Sequence, residues 1–579
     1  MASMMLPCGN LACSVSGILA CGNCFLIKYC SKECQKTHYK VHKSACKSPL
    51  STASWAPGYT VQRRKPSFIA SDNDEPLYSP YGHVQPKYLF GNIPSFDHLK
   101  FAGVDTADED EINMLFAASG DLRNLITTVL GIASEKKVKV VLNDREPYVV
   151  IRNLLVLLLL GTNPESESDS KPYLETAIHL WFSAFLTPAM SETLKYVFNK
   201  HLGKMRSHSN MPNANESGLL ATTVQLDNGP TIRCVLPRRV WNIFFTVMDS
   251  PPIPVVAATK SRHEVTMARS RVDYRERFLE QIHPQYRQSF AQYWEDGLVL
   301  PFSMSRKDFT VPNCTLFYQA TLQWLLMDNA NPLNSCPIKE IYTPSHSVPA
   351  PKYDTYGLLY FYVFRNLTDF HHRLVDTNKP SHHFSITCCS AQTIASSVPG
   401  ITHHSFDLIE VSNITDNGYL GVPTTLRSIA VPLLKPTGRL ISLFMNYFAE
   451  LEHYLGPNIV NVWKKKEMEL LMSILGKAGV QKYLFSPVTG LLNMAQIMSA
   501  LPVFEDPDLK WDLYSDMLGL EEKAEKEGMR MLKVEKPHRF NVVGNRELES
   551  NPEKVMKIVK DAALSGTMGT ETYVVWGRK

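Results

Sequence analysis

The chain reads as an α/β protein. A parallel sheet with helices on both faces is preceded by a small cysteine-rich module and interrupted by a large, mostly helical insertion. Three observations predict this. Seven of the twelve cysteines lie before residue 47. Stretches with strand, helix, strand and helix character follow one another from Ile112 to Gly161, and a matching set returns after His382. The residues between them, 166–354, carry helix-like segments such as "YLETAIHLWFSAFL".

At 579 residues the chain is too long for one core, so several domains are expected. Its 44% apolar and 20% charged residues are those of an ordinary globular protein. A formal charge of +4 is small for this length and predicts neither direct DNA binding nor a membrane surface. The most apolar run, Asn153 to Gly161, is too short to span a bilayer and sits beside Arg152. No apolar leader segment precedes Cys8, so the expected setting is a reducing one, cytoplasmic, nuclear or both. Thiols stay reduced there, which favours metal ligation over disulfides.

The first element is the cysteine-rich module. Cys8, Cys13, Cys21, Cys24, Cys30, Cys34, His42 and Cys46 form four pairs, the number that two tetrahedral zinc ions need. Cys21-x2-Cys24 is a knuckle spacing that aims two sulfurs at one ion. Cys30-x3-Cys34 and His42-x3-Cys46 place ligands one helical turn apart. Thiolate and imidazole suit zinc. His38, one turn before His42, is the spare. The segment has too few large apolar residues to fold alone, so zinc is expected to decide its fold. Cys21-Gly-Asn-Cys24 lacks the strand–turn–helix surroundings of a redox motif.

The order of the pairs, with "YCSKECQ" and "HKSAC", resembles the MYND zinc finger over residues 8–46. The resemblance implies crossed pairs: one zinc on Cys8, Cys13, Cys30 and Cys34, the other on Cys21, Cys24, His42 and Cys46. It also implies a protein partner, a short proline-containing peptide, rather than DNA. The first pair has four intervening residues where two are commoner, and Tyr39 stands where Trp is frequent.

Residues 47–85 are rich in Ser, Pro and Gly without periodicity and read as a linker. "QRRK" (62–65) within it is a short basic run, a solvated stretch or an import patch.

Residues 86–165 carry the first half of the α/β body. Ile112–Ala118 and Val138–Asp144 read as buried parallel strands. A helix is expected from Leu122, and another from Pro147 to a stop at Gly161. "NPESESDSKP" (163–172) reads as an acidic loop, and "LEQIHPQYRQSFAQYWEDG" as a helix within the insertion. The second half spans 355–579. "HHFSITCCSAQTIASSVPG" fits a strand and helix, and "FDLIEVSNITD" a strand entering a polar loop. "TTLRSIAVPLLKPTGRLISLFM" fits a helix, a Pro-Thr-Gly turn and a strand, and "ETYVVWGRK" a final strand.

This order resembles the Rossmann-like fold of class I methyltransferases. There a glycine turn ends the first strand, an acidic residue ends the second, and the last strand is antiparallel. Residues 86–190, with "YLFGNIPSFD", "LFAASGDLRNLI" and "LNDREPYVVIRNLLVLLLL", resemble a methyltransferase-like domain of uncharacterised function. That domain also occurs in dynein axonemal assembly factors and behind MYND fingers.

The resemblance makes S-adenosylmethionine a possible cofactor, with Gly120, Asp121 and Asp144 as its candidate residues. The ligand would lie at the C-terminal ends of the strands, near Ser119, Gly120, Asp121, Asp144, Ser412 and Asn413. Asp121 would face its ammonium. Asp144 either accepts the ribose hydroxyls or caps the helix at Pro147. A single glycine in "AASGDLRN", where several are usual, leaves little room for a ligand against the backbone. No nucleophile elbow or Walker loop is present. The adjacent pairs His371-His372, His382-His383 and His403-His404, read as strand residues, would put one ring on each face, so a third metal site is not expected.

Two functions follow. The first is a zinc-binding adaptor or scaffold whose finger recruits a protein partner and whose methyltransferase-like body is not an enzyme. The alternative is a methyltransferase whose finger selects a protein substrate. They differ in whether the body binds S-adenosylmethionine.

Overall fold

The computed structural model describes residues 5–70, 85–163, 170–206, 218–342, 348–477, 493–494, 496–497, 500–504, 507–535, 537, 551–565 and 571–579. Residues 164–169 of the expected acidic loop and 71–84 of the expected linker lie outside this set.

The N-terminal module contains a minimal antiparallel hairpin, β1 (Leu19–Ala20) and β2 (Lys28–Tyr29), followed by helix α1 (Lys32–Cys46). Ser31 caps α1 by accepting the Cys34 amide.

The body is built on β3 (Glu111–Phe116), α2 (Arg123–Gly131), β4 (Lys137–Asn143) and α3 (Pro147–Leu160). Pro147 supplies the fixed φ of a first helical position. After α3 come α4 (Lys171–Phe182) and α5 (Pro188–Leu202), then the strands β5 (Leu219–Gln225) and β6 (Thr231–Pro237). Helices α6 (Arg238–Asp249), α7 (Val255–Thr266), α8 (Val272–Gln281), α9 (Pro284–Asp296) and α10 (Thr355–Val375) follow. The chain then returns to the sheet as β7 (His383–Thr387), β8 (Phe406–Glu410), β9 (Leu434–Phe444), β10 (Met529–Glu535) and β11 (Thr572–Arg578).

These strands form one mixed nine-stranded sheet in the order β10-β11-β9-β8-β3-β4-β7-β6-β5. Neighbours from β9 to β6 pair in parallel, while β11 is antiparallel to both β9 and β10. The expected adjacency of the first strand to the strand near 406–412 is present as β3–β8, with Ile409 opposite Leu115.

Within the body, the sequence reading differs from the structure at several elements. The insertion is largely helical, yet its hairpin β5–β6 extends the central sheet beside β7. The single helix expected at 279–297 is two, α8 and α9, because Pro284 cannot continue α8 and instead opens α9. The Pro-Thr-Gly stretch is not a turn. It bulges within β9, where the partner of Phe406 is Leu434 and that of Leu408 is Arg439. Gly438 permits this, since a Cβ there would come within 2.7 Å of the Phe406 carbonyl. Two of the three histidine pairs are not strand pairs: His371 and His372 lie on α10, and His403 and His404 in a loop, while His383 opens β7 directly after His382. Buried His371 is fixed to the Leu160 carbonyl at 2.7 Å through Nδ1.

Helix α3 is covered all round, with every residue from Tyr148 to Leu160, Arg152 and Asn153 included, buried among α4, α5 and α10. Leu157→Ala should therefore leave a cavity and destabilise the body by about 2–5 kcal/mol. Urea unfolding followed by tryptophan fluorescence checks this; a loss below about 1 kcal/mol would contradict the packing described.

Candidate metal centre and the sheet edge

The finger brings all eight candidate ligands into two groups. Cys8, Cys13, Cys30 and Cys34 form one; Cys21, Cys24, His42 and Cys46 form the other. Within each, the ligand atoms lie within 4.8 Å of one another. The sulfurs of Cys13 and Cys30 are 3.6 Å apart, those of Cys30 and Cys34 3.4 Å, and those of Cys21 and Cys46 3.7 Å. Cys24 Sγ lies 3.4 Å from His42 Nε2. Zinc–sulfur bonds of about 2.3 Å put the edge of a tetrahedron near about 3.8 Å, whereas a disulfide would bring its sulfurs to about 2 Å. All these cysteines are free. The residues present fit two zinc ions.

Helix α1 links the centres: Cys34 near its start serves the first, and His42 and Cys46 on its last turn serve the second. Cys30 lies just before the helix, ahead of the capping Ser31, so its pair with Cys34 spans the helix start. The long first pair closes through a turn in which Cys13 donates its amide to the Asn10 carbonyl, and Asn10 Nδ2 reaches Cys34 Sγ at 3.6 Å. Asn23 Nδ2 does the same for the second centre, donating to Cys46 Sγ at 3.4 Å, and the Cys30 amide approaches Cys8 Sγ at 3.5 Å. Such donors spread the excess negative charge of thiolate sites. Burial pushes His42 down to about 4, so its ring is neutral and able to ligate at pH 7. His38 belongs to neither group; its Nδ1 lies 3.0 Å from the Tyr29 hydroxyl.

The second candidate region is the C-terminal edge of the sheet. Gly120 turns the chain after β3 with φ +53°, the left-handed conformation that glycine adopts freely. Its amide donates to Asp144 Oδ2 at 3.0 Å, and its carbonyl accepts from Asn153 at 2.7 Å. The other Asp144 oxygen accepts the Glu146 amide at 2.9 Å. Buried Asp121 accepts the Gly91 amide at 2.8 Å and the Arg123 guanidinium at 2.7 Å. Arg123 Nε also donates to the Ile93 carbonyl at 2.9 Å, and Arg152 Nη2 to that of Leu89. Segment 89–93 is thus fastened over the β3 turn by three charged side chains. A Cβ at Gly91 would meet the Arg123 guanidinium at 2.3 Å, so a side chain there would displace the arginine from this arrangement. Arg123 and Arg152 hold this segment, and the sequence reading assigned neither of them a role.

At the end of β8, Ser412 donates its amide to Glu410 at 2.7 Å, and Asn413 Nδ2 reaches Asp416 at 3.3 Å. Burial pushes Glu410 up to about 7, and raises Asp144 above the usual carboxylate range. The Gly120 amide and both proposed carboxylates already hold protein partners, and Asp121 is neutralised by Arg123. Beside this edge a cleft of about 320 Å³ is lined by Leu89, Phe90, Met327, Asn331, Met445 and Glu571, among others.

Comparison with known proteins identifies two stretches. Residues 7–46 match the MYND finger, a zinc-binding protein-interaction module. Residues 89–186 match a "Domain of unknown function (DUF4470)". No curated protein and no solved structure matches the chain. Among the described residues no helix is long and apolar enough to cross a membrane.

Elemental analysis of the full chain should return two zinc ions. Cys30→Ser should lose the first ion and unfold the finger while the body keeps its unfolding transition; His38→Ala should retain both. A wild-type content of one ion contradicts the two-centre arrangement. Zinc affinity should fall as pH falls, because seven thiols must be deprotonated to bind and Cys30, hydrogen-bonded to Cys34, is pushed up to about 12 without metal. A competitive chelator titration at pH 6 and 8 reads this.

Proposed function

We propose that the chain is a zinc-dependent protein-interaction protein, an adaptor or scaffold in the cytoplasm, the nucleus or both. In this reading the MYND finger recruits a short proline-containing peptide of a partner, and the α/β body serves as its platform rather than as a catalyst. The observation that carries it is the contrast between the two candidate sites. The finger's ligands converge on two metal positions, while the sheet edge spends its amide and carboxylates on the chain's own backbone. The modest net charge of +4 favours a peptide over nucleic acid as the partner.

One observation favours the methyltransferase alternative. Apart from the β5–β6 hairpin, the strands run β7-β4-β3-β8-β9-β11-β10, with the chain-terminal strand antiparallel beside β9. This order supports a methyltransferase-like ancestry of the body. It does not supply a cofactor site, because the fold carries function only through its site residues.

Calorimetric titration of the full chain separates the two. S-adenosylmethionine should give no binding heat with wild type or Asp144→Ala. A proline-containing peptide selected on the zinc-loaded finger should bind the full chain and lose its affinity when zinc is chelated. Micromolar S-adenosylmethionine binding, abolished by Asp144→Ala, would overturn the scaffold reading.

A further inference from the structure

The part of the expected linker that the structure describes is docked. Residues 49–70 leave the end of α1 and run across α8 and α9. Arg287, buried on α9, donates to the carbonyls of Leu50 (3.3 Å) and Thr52 (3.1 Å) and lies 4.8 Å over the Trp55 ring. On α8, Asp273, Glu276 and Glu280 lie on one face at helical spacing. Glu276 accepts the Gly58 amide at 2.6 Å, and Glu280 the Tyr59 hydroxyl at 3.0 Å. Asp273 is buried and takes Arg64 in a two-pronged ion pair at 2.6 and 2.5 Å, together with the Ser67 amide at 2.8 Å. The Phe68 ring completes the contact, packed between Tyr59 and Tyr274 with the Arg277 guanidinium 4.4 Å above it.

The geometry points to a latch. Bidentate guanidinium–carboxylate pairs are among the strongest charge-assisted contacts, and Asp273 without Arg64 would be left as an uncompensated buried carboxylate. Arg63, the residue between the two parts of the contact, holds φ +53°, a conformation that only a well-determined surrounding keeps for a residue with a side chain. The finger itself touches the body beyond the latch: Phe25 packs edge-on to Tyr353 at 5.9 Å, and Tyr353 stacks on His283 of the loop before α9. Phe302 also packs against the finger's interior.

We propose that residues 49–70 form an electrostatic latch whose closure on α8 fixes the orientation of the finger on the body. Closed, it holds the finger, with its exposed apolar residues Leu11, Val15, Ile18 and Leu19, in one orientation on the body. It also withholds Arg64, the centre of the basic run Arg63-Arg64-Lys65, from any acidic receptor. Open, the finger keeps its contacts at Phe25 and Phe302 but loses the strap that fixes its orientation, and the run is released. The inference concerns how the finger is held and does not depend on what it binds.

Limited trypsin digestion of the zinc-loaded full chain tests this, because Arg63 and Arg64 are cleavage sites inside the latch. Cleavage that requires opening follows the open population. Arg64→Gln, a change on the half-exposed strap that leaves the body's core untouched, should speed cleavage after Arg63 by roughly ten- to a hundredfold. Asp273→Ala should do the same after both arginines, with zinc content still at two ions. The exchanged pair Arg64→Asp with Asp273→Arg should restore part of the protection. Wild-type cleavage as fast as that of a free peptide covering 57–70, or equal rates in wild type and Arg64→Gln, would overturn the latch.

Discussion

Asp121 accepts the Gly91 amide and the Arg123 guanidinium, while Arg123 and Arg152 hold the carbonyls of Ile93 and Leu89. This clamp is the contact on which the reading of the body rests. The C-terminal edge of a parallel sheet gathers turn amides and helix N-termini, and such an edge binds a ligand when those groups are left unanswered. Here the chain answers them itself. The buried Asp121–Arg123 pair is costly to disrupt one partner at a time, and it holds segment 89–93 in place. In the finger the ligand atoms converge instead on two metal positions.

The two regions also obtain their order differently. The body is held by two core clusters, one on each face of the sheet, the first of which buries α3 on every side. Among the described residues the finger's own cluster packs Leu26, Ile27 and Tyr29 among its cysteines, too little apolar surface to fix a fold without metal. Docking changes this balance. Through Phe25, Tyr353 and the strap on α8, the finger borrows surface from the insertion, which gives the long interruption of the sheet a structural role.

Much of this was legible in the sequence. The ligands, their number and their crossed pairing follow from spacing and resemblance, because metal ligation imposes local geometry. Strands β3, β4 and β8 and helix α3 were legible because burial on two faces leaves continuous apolar runs. The hairpin β5–β6 carried its own signal, Asp227-Asn228-Gly229, with Asn228 and Gly229 both at positive φ; the helical segments around it obscured that signal. The fate of Asp121 and Asp144 was not legible, since each takes partners that only the fold supplies: Gly91 lies thirty residues before Asp121 and Gly120 twenty-four before Asp144. The strap was further out of reach. Its low-complexity composition is that of a linker, and its partners lie over two hundred residues away on α8.

Amide hydrogen exchange at Gly91 and Gly120 in the full chain tests the central claim most directly. These two amides are the donors that a ligand at this edge would need. If the edge is satisfied by the chain itself, both exchange slowly, at rates near those of the β3 amides, and excess S-adenosylhomocysteine leaves them unchanged. Fast exchange at both amides that slows only when S-adenosylhomocysteine is added would show an open, ligand-seeking edge and contradict the account.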